Sequence, residues 1–235
     1  MVRSNHTYQL SRKFFEERIF SFFVMEINIP VNRVVYRIET RRTVIRCYNP
    51  TDAPLLAQSI SESLEHLKPW MPWVHSEPEK IEMKVNRLRR MRASFDLNKE
   101  FIFGIFTPDE RRLIGGTGFH PRNGPNSIEI GYWININYIN QGYGTEITAA
   151  LTKIAFEIYN IHLVEIHCDP KNVASATIPK KLNFQHEATL RDRVLNERGE
   201  PRDAMIWSIN LEEYQRSRAK NLDIKAFNVL REQIY

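Results

Sequence analysis

Between Glu129 and Glu146 the chain reads EIGYWININYINQGYGTE, a strand-like apolar segment that runs into a small glycine-bearing turn and then into a helix. Helical spacing continues through Ile147, Leu151, Ile154 and Ile158, and a second strand pattern follows over Leu163–Cys168. Strand, helix and strand in this order predict a right-handed parallel crossover. At such a turn consecutive N–H groups point outward, and the N-terminus of the following helix adds partial positive charge. Gln141 to Thr145 is therefore a candidate cradle for a diphosphate that needs no cationic side chain. Glycine at 142 and 144 permits positive φ and lets phosphate oxygens approach the main chain. Taken alone, GxG before a helix also describes an ordinary strand-to-helix turn.

The rest of the chain supplies a sheet for this unit. Alternation at Val34 to Ile38 and Val44 to Tyr48 predicts two short strands about the polar ETRR turn. Asn49-Pro50-Thr51-Asp52 offers turn and cap chemistry before a helix marked by Leu55, Leu56, Ile60 and Leu64, ending near His66. Ser76-Glu77-Pro78-Glu79 has the pattern of a capping box and introduces a second helix with Ile81, Val85, Leu88, Met91 and Phe95. FIFGIF, LIGGTGF and SIEIGYWI, separated by PDERR and PRNGPN, predict an antiparallel meander. A short helix over Ala174 to Leu182 and strands around Ala188 to Val194 and Ala204 to Ile209 complete the domain. The expected class is α+β: a single domain whose mixed, mostly antiparallel sheet of about seven strands is flanked by helices.

Composition narrows the chemistry by exclusion. At 235 residues with 42% apolar content, the chain can bury one sizeable core. Its 33 Lys and Arg against 28 Asp and Glu favour anionic ligands. The basic residues are not interleaved with aromatics in a reader motif, so no direct nucleic acid partner is expected. Cys47 and Cys168 are too few for a disulfide scaffold and lack CxxC spacing, which fits a reducing cytoplasm. The seven histidines are scattered without HxxxH or HExxH, so no metal site is expected. GxxxxGK[ST] is absent, as is GxGxxG with an acid about 20 residues on, which excludes a P-loop and a Rossmann dehydrogenase. The apolar run IFSFFVM at Ile19 to Met25 is shorter than the roughly 20 residues of a membrane helix, so no membrane association is expected. Residues 1–32 read as an N-terminal extension. Within it, 1–24 form an added leader before the more ordinary start at Met25, with a signal peptide as the alternative. The charged residues 215–235 read as a C-terminal helical tail for packing or homodimer formation.

Further along, the motifs stand in order: Ile130-Gly131-Tyr132-Trp133, then Gly142-Tyr143-Gly144-Thr145-Glu146, then Asn172, Ser175, Leu182 and Phe184. Together they resemble the GNAT superfamily of N-acetyltransferases in its RimJ/RimL-like branch, over roughly residues 38 to 214. The resemblance implies a GNAT domain at 33–214 with a splayed pair of parallel strands, Glu129 to Ile134 and Leu163 to Cys168, between which the pantetheine arm of acetyl-CoA inserts. It implies main-chain contacts from Trp133 and Ile134, and a pyrophosphate held by Gln141, Gly142, Tyr143, Gly144 and Thr145. Asn172 would bind pantetheine or shape its channel. The sequence departs from the pattern at Asn183, where Gly is common, though Asn tolerates a left-handed cap. It departs again at Ile139, where the superfamily often has Gln or Arg and this branch an aromatic residue.

Acetyl transfer to an amine requires a neutral nucleophile, stabilisation of a developing oxyanion and protonation of a departing thiolate. By resemblance, Ser175 stands near the CoA sulfur and would donate to the thiolate; a hydroxyl that merely caps the helix start is the alternative. Glu129 is the candidate base, against an exposed strand carboxylate, and His167 is a reserve proton relay, against a packed strand histidine. Val194 stands near a position where some relatives carry a carboxylate. In His66-Leu67-Lys68-Pro69-Trp70-Met71-Pro72-Trp73, the resemblance implies that Trp70 and Trp73 line the acceptor pocket, core packing being the alternative. The implied activity is transfer of acetyl from acetyl-CoA to a primary amine, foremost the N-terminal α-amino group of a protein such as a ribosomal protein. The alternatives are a small-molecule amine (antibiotic, polyamine or amino acid) or a noncatalytic acetyl-CoA-binding module.

Overall fold

In the computed structural model, which describes residues 29–121, 126–196 and 199–235, the segments read as strands meet in one sheet. They are β1 (Arg37–Glu39), β2 (Val44–Cys47), β3 (Phe101–Phe106), β4 (Leu113–Pro121), β5 (Ser127–Ile134), β6 (Leu163–Cys168), β7 (Gln185–Leu195), β8 (Pro201–Asn210) and β9 (Lys225–Phe227). The helices are α1 (Ala53–Leu67), α2 (Ile81–Asp96), α3 (Tyr143–Glu157), α4 (Val173–Lys181) and α5 (Leu211–Arg216). The strand order is β7-β8-β6-β5-β4-β3-β2-β1-β9, and every pair is antiparallel except β5 with β6. The expected α+β class with a mixed, mostly antiparallel sheet holds, with nine strands in place of about seven. The expected leader, residues 1–24, lies outside the described residues.

The tail departs from expectation. Residues 215–235 were expected to be helical, yet α5 stops at Arg216 and a short 3-10 turn covers Arg218–Asn221. The chain then forms β9, which pairs with β1 through Ile38↔Ala226. Charge pattern favours helix here, but Ala219, Ile224 and Ala226 are buried, and covering the open edge of β1 outweighs local propensity. A second departure lies before α2. The helix opens at Ile81 behind Lys80, not at the Ser76-Glu77-Pro78-Glu79 box. Ser76 Oγ does donate to Glu79 Oε1 at 2.9 Å, but Glu77 and Glu79 turn to Lys84 of α2, whose ammonium is buried and bonded to Glu77. A buried ammonium needs carboxylates around it, and that need claims the acids a cap would have used.

Alternation along β5 sorts its side chains between the two layers. Ile128, Ile130 and Tyr132 join the core formed with Ile147, Leu151 and Ile154 of α3. Trp133 packs with the cluster that contains Leu56 and Ile60 of α1 and Leu88 of α2, so Glu129 and Gly131 share that side. β5 leaves the sheet at Asn135, a buried amide that donates to Ser59 Oγ (2.9 Å) and Glu62 Oε2 (2.8 Å) on α1 and accepts from the Asn137 N–H (2.8 Å). These bonds fix where the strand ends and the glycine turn begins.

Donation from Asn135 holds the Glu62 carboxyl below the usual carboxylate range. Asn135→Ala is expected to cost about 2 kcal/mol at pH 7, because it removes the donor to the buried Ser59 hydroxyl and to Glu62 together with the cap on the Asn137 N–H. A depressed folded-state pKa contributes stability that is complete above about pH 5. That contribution is lost as the pH falls through the unperturbed value near 4.3 and on through the lower folded one. Urea unfolding at pH 7 and at pH 4 checks this: the penalty of the substitution should be smaller at the lower pH.

Candidate active site

The β5–β6 ladder extends only through Ser127↔Leu163, Ile128↔Val164 and Glu129↔Glu165. Beyond it β5 continues against β4 to Ile134, and β6 continues against β8 to Cys168. Each strand follows its antiparallel neighbour, and the parallel pair opens into a gap that starts at Glu129. Tyr132 reaches α4 from this region: its hydroxyl lies 3.1 Å from Ser175 Oγ, and burial pushes its pKa up. Asn172 is the N-cap of α4 and its Oδ1 accepts the Ser175 N–H at 3.1 Å. The capping duty belongs to Asn172, which leaves the Ser175 hydroxyl facing Tyr132. Burial likewise raises the pKa of the Cys168 thiol beside Ser175. Asn183 takes φ 64°, the left-handed conformation expected of it after α4.

At the glycine turn, Gly142 is the N-cap residue of α3 with φ 83°. Gly144 does not use positive φ; a Cβ there would approach Ile178 Cδ1 of α4 to 2.8 Å, so its small size serves helix packing. The bond from the Glu146 N–H to Gly142 O (3.1 Å) begins the helical ladder, and the amides before it have no intrahelical acceptor. The turn is clamped by a residue that sequence reasoning missed. Arg42, in the ETRR connection, donates from Nε to Glu146 Oε2 (2.7 Å) and from Nη1 to Gln141 O (3.0 Å), and its guanidinium lies 4.3 Å from the Tyr143 ring centroid. Thr40 Oγ1 donates to the other Glu146 oxygen at 2.6 Å. An acid in the first turn of α3 is the only trace of this clamp in the sequence, and it does not say which arginine answers it.

A cavity of about 850 Å³ opens beside the gap, lined by Glu129, Trp133, Asn172, Ser175, Trp70 and Trp73 among others. Ile134 and the turn from Gln141 to Thr145 are not part of its wall. Six of the predicted site residues thus converge on one space, and the glycine turn lies apart from it. Trp73 stands 5.9 Å from Trp133 between ring centroids and is 37% exposed, and Trp70 is half-buried, so neither belongs to the core. Val194 also lines the space. Arg202 of β8 donates to Pro69 O (2.8 Å) and Asp169 Oδ2 (3.1 Å), tying the tryptophan segment to the β6–α4 connection, a role invisible in the sequence. Glu129 is buried, with Oε2 at 3.2 Å from His167 Nδ1, while His167 Nε2 lies 2.7 Å from Glu165 Oε2. Among the described residues no group of three or more His, Cys, Asp or Glu could hold a metal ion, and no helix is long and apolar enough to cross a membrane.

Residues 42–185 match the family model described as acetyltransferase (GNAT) domain. The [ribosomal protein uS5]-alanine N-acetyltransferase of Escherichia coli (strain K12) is 26% identical over 178 residues, which span 74% of this chain and 90% of that protein. Among solved structures, Mycobacterium smegmatis RimJ in complex with CoA-disulfide superposes with a TM-score of 0.66 at 22% identity, covering 79% of this chain and 90% of that one. The microcin C7 self-immunity acetyltransferase MccE, solved with acetyl-CoA and AMP, gives a TM-score of 0.66 at 19% identity, over 73% of this chain and 94% of that one. Both likenesses are of fold.

Proposed function

The chain belongs to the acetyltransferase (GNAT) family as an acetyl-CoA-dependent N-acetyltransferase, and from that premise we propose that its acceptor is the N-terminal α-amino group of a protein such as a ribosomal protein. The observation that carries this reading is the makeup of the cavity at the gap. Trp70, Trp73 and Trp133 offer an apolar slot for the first side chain of a peptide, while Glu129 and Glu100 face its ammonium. A polycationic small amine would require a wall of acids, and here Arg87, Arg193 and Arg202 share the lining. The E. coli relative, named for an alanine of a ribosomal protein, points the same way.

Acetyl-CoA supplies an activated thioester. Its fit to this chain rests on the amides ahead of Glu146, on the open strand gap, and on Gly142, whose φ of 83° turns the chain into α3 at those amides. Gln141, Gly142, Tyr143, Gly144 and Thr145 would hold the pyrophosphate, with Trp133 and Ile134 offering main-chain partners to the arm. Asn172 has its oxygen committed to the α4 cap, so its Nδ2 is the atom left for pantetheine. Glu129 takes a proton from the acceptor ammonium, and the Ser175 hydroxyl, paired with Tyr132, donates towards the departing sulfur.

Ser175→Ala should lower kcat by about ten- to a hundredfold and leave the acetyl-CoA Kd within about twofold. Equal turnover would remove Ser175 from the mechanism. The acceptor class is tested by incubation with acetyl-CoA and a panel of ribosomal-protein N-terminal peptides, aminoglycosides, polyamines and amino acids, read by mass spectrometry. Acetylated peptide α-amines are expected. Acetylation confined to the small amines would overturn the reading.

A further inference from the structure

Strand register places a row of ionisable side chains on the cavity side of the sheet. Glu129 lies opposite His120 on β4 and opposite Glu165 on β6, and residues paired across neighbouring strands present their side chains to the same face. His120 Nδ1 is 3.1 Å from Glu100 Oε1 just before β3. His167 follows Glu165 by two residues and so shares the face, with Nδ1 at 3.2 Å from Glu129 and Nε2 at 2.7 Å from Glu165. Each imidazole of the row meets carboxylate, His120 meeting Glu100 and His167 meeting both Glu129 and Glu165, and the candidate base sits within the row.

An imidazole between two carboxylates has a restricted choice of protons. In its neutral form with hydrogen on Nε2 it donates to Glu165 and turns the Nδ1 lone pair to Glu129; as imidazolium it carries a proton towards each. We propose that His167, oriented by Glu165, takes over the proton that Glu129 removes from the acceptor ammonium and passes it to solvent. This rests on the reading of Glu129 as the base. An N–H bond of the ammonium breaks as an O–H bond forms on Glu129; that O–H then breaks as N–H forms at His167 Nδ1, and Glu129 is a carboxylate again. The imidazolium loses the same proton to water, restoring the starting tautomer. Amide formation from an ammonium releases one proton per turnover, and this is that proton. The exposure gradient fits the direction of transfer, since the Glu129 side chain is 11% exposed and that of His167 is 28% exposed.

Neither His167 nor Glu165 is required to touch the acceptor, so both are positioning residues, Glu165 acting by fixing which ring nitrogen carries hydrogen. The other charged groups facing this space are His120 with Glu100, Asp169 with Arg202, and Arg87 and Arg193. All of them stay in place in the variants proposed.

The test compares the full chain with Glu165→Gln and Glu165→Asp, using 15N NMR of the imidazoles above their titration and the pH dependence of kcat. The expected result is an Nε2–H tautomer for His167 in the parent and in Glu165→Asp, and a loss of that preference in Glu165→Gln. Alongside it, kcat of Glu165→Gln at pH 7 should fall at least tenfold with acetyl-CoA Kd within twofold, the acid limb of its profile should shift, and Glu165→Asp should restore most of the rate. An unchanged tautomer in Glu165→Gln, or an unchanged kcat profile, would overturn the relay. The tautomer measurement needs no acceptor. Acetylation with an unchanged Glu165→Gln profile overturns the relay alone, whereas a panel with no acetylated amine overturns the acceptor reading and the relay with it.

Discussion

Gly142→Val is expected to raise the Kd for acetyl-CoA at least tenfold, about 1.4 kcal/mol. Gly142 sits at φ 83°, a region that a β-branched residue enters at a cost of roughly 1–3 kcal/mol. The protein itself leaves room, since the nearest atom to an added Cβ is Arg42 Nη2 at 3.6 Å, ordinary van der Waals contact. What valine is expected to invade is the space in front of the turn amides, where the proposed function puts the phosphate oxygens. Gly199 in the β7–β8 hairpin separates strain from occlusion: it has φ 74° with nothing within 4 Å of its Cβ position. Gly199→Val should lower stability by a similar amount and leave the Kd unchanged. Titration calorimetry of the two variants checks the difference, and equal affinities in both would count against the turn as the phosphate site.

Glu129→Gln is expected to lower kcat by about 10²- to 10⁴-fold at pH 7, the range of a lost general base, with little change in acetyl-CoA affinity. The substitution keeps the shape of a buried side chain at the mouth of the strand gap and removes its ability to accept a proton. The pH dependence carries the sign. An α-amino group has an unperturbed pKa near 8, so below that value the acceptor arrives protonated and depends on the base, and above about pH 9 it arrives neutral. The rate deficit should therefore narrow as the pH rises. A deficit that stays constant from pH 6 to pH 9.5 would mean that Glu129 acts on something other than the acceptor proton.

What could be read in the sequence was local. The strand, glycine turn and helix from Glu129 to Glu146 appear with their own periodicities and turn residues, whereas the strand gap is implied only by the family resemblance that those motifs carry together with Asn172 and Ser175. The partners that complete the site could not be read, because they arrive through tertiary contact. Arg42 reaches Glu146 across 104 positions, and nothing near either residue marks the pair. His167 meets Glu129 only because β5 and β6 share three register pairs before parting. Register between distant strands follows from what each buries, which no local pattern states. Tyr132 was legible as part of IGYW but not as the partner of Ser175. β9 was missed for the opposite reason: charged residues gave 215–235 a helical look, and the open edge of β1 decided otherwise. The acids of Ser76-Glu77-Pro78-Glu79 formed a convincing cap pattern whose carboxylates were taken by a buried lysine.

In the proposed function the amides of the Gln141–Thr145 turn grip a pyrophosphate and direct the arm of acetyl-CoA into the opening between β5 and β6. A crystal structure of the chain with acetyl-CoA tests it most directly. Phosphate oxygens within hydrogen-bond distance of those amides, with the thioester beside Ser175 in the opening beyond Glu129, are predicted. Amides without ligand contacts and acetyl-CoA bound elsewhere on the sheet would contradict it.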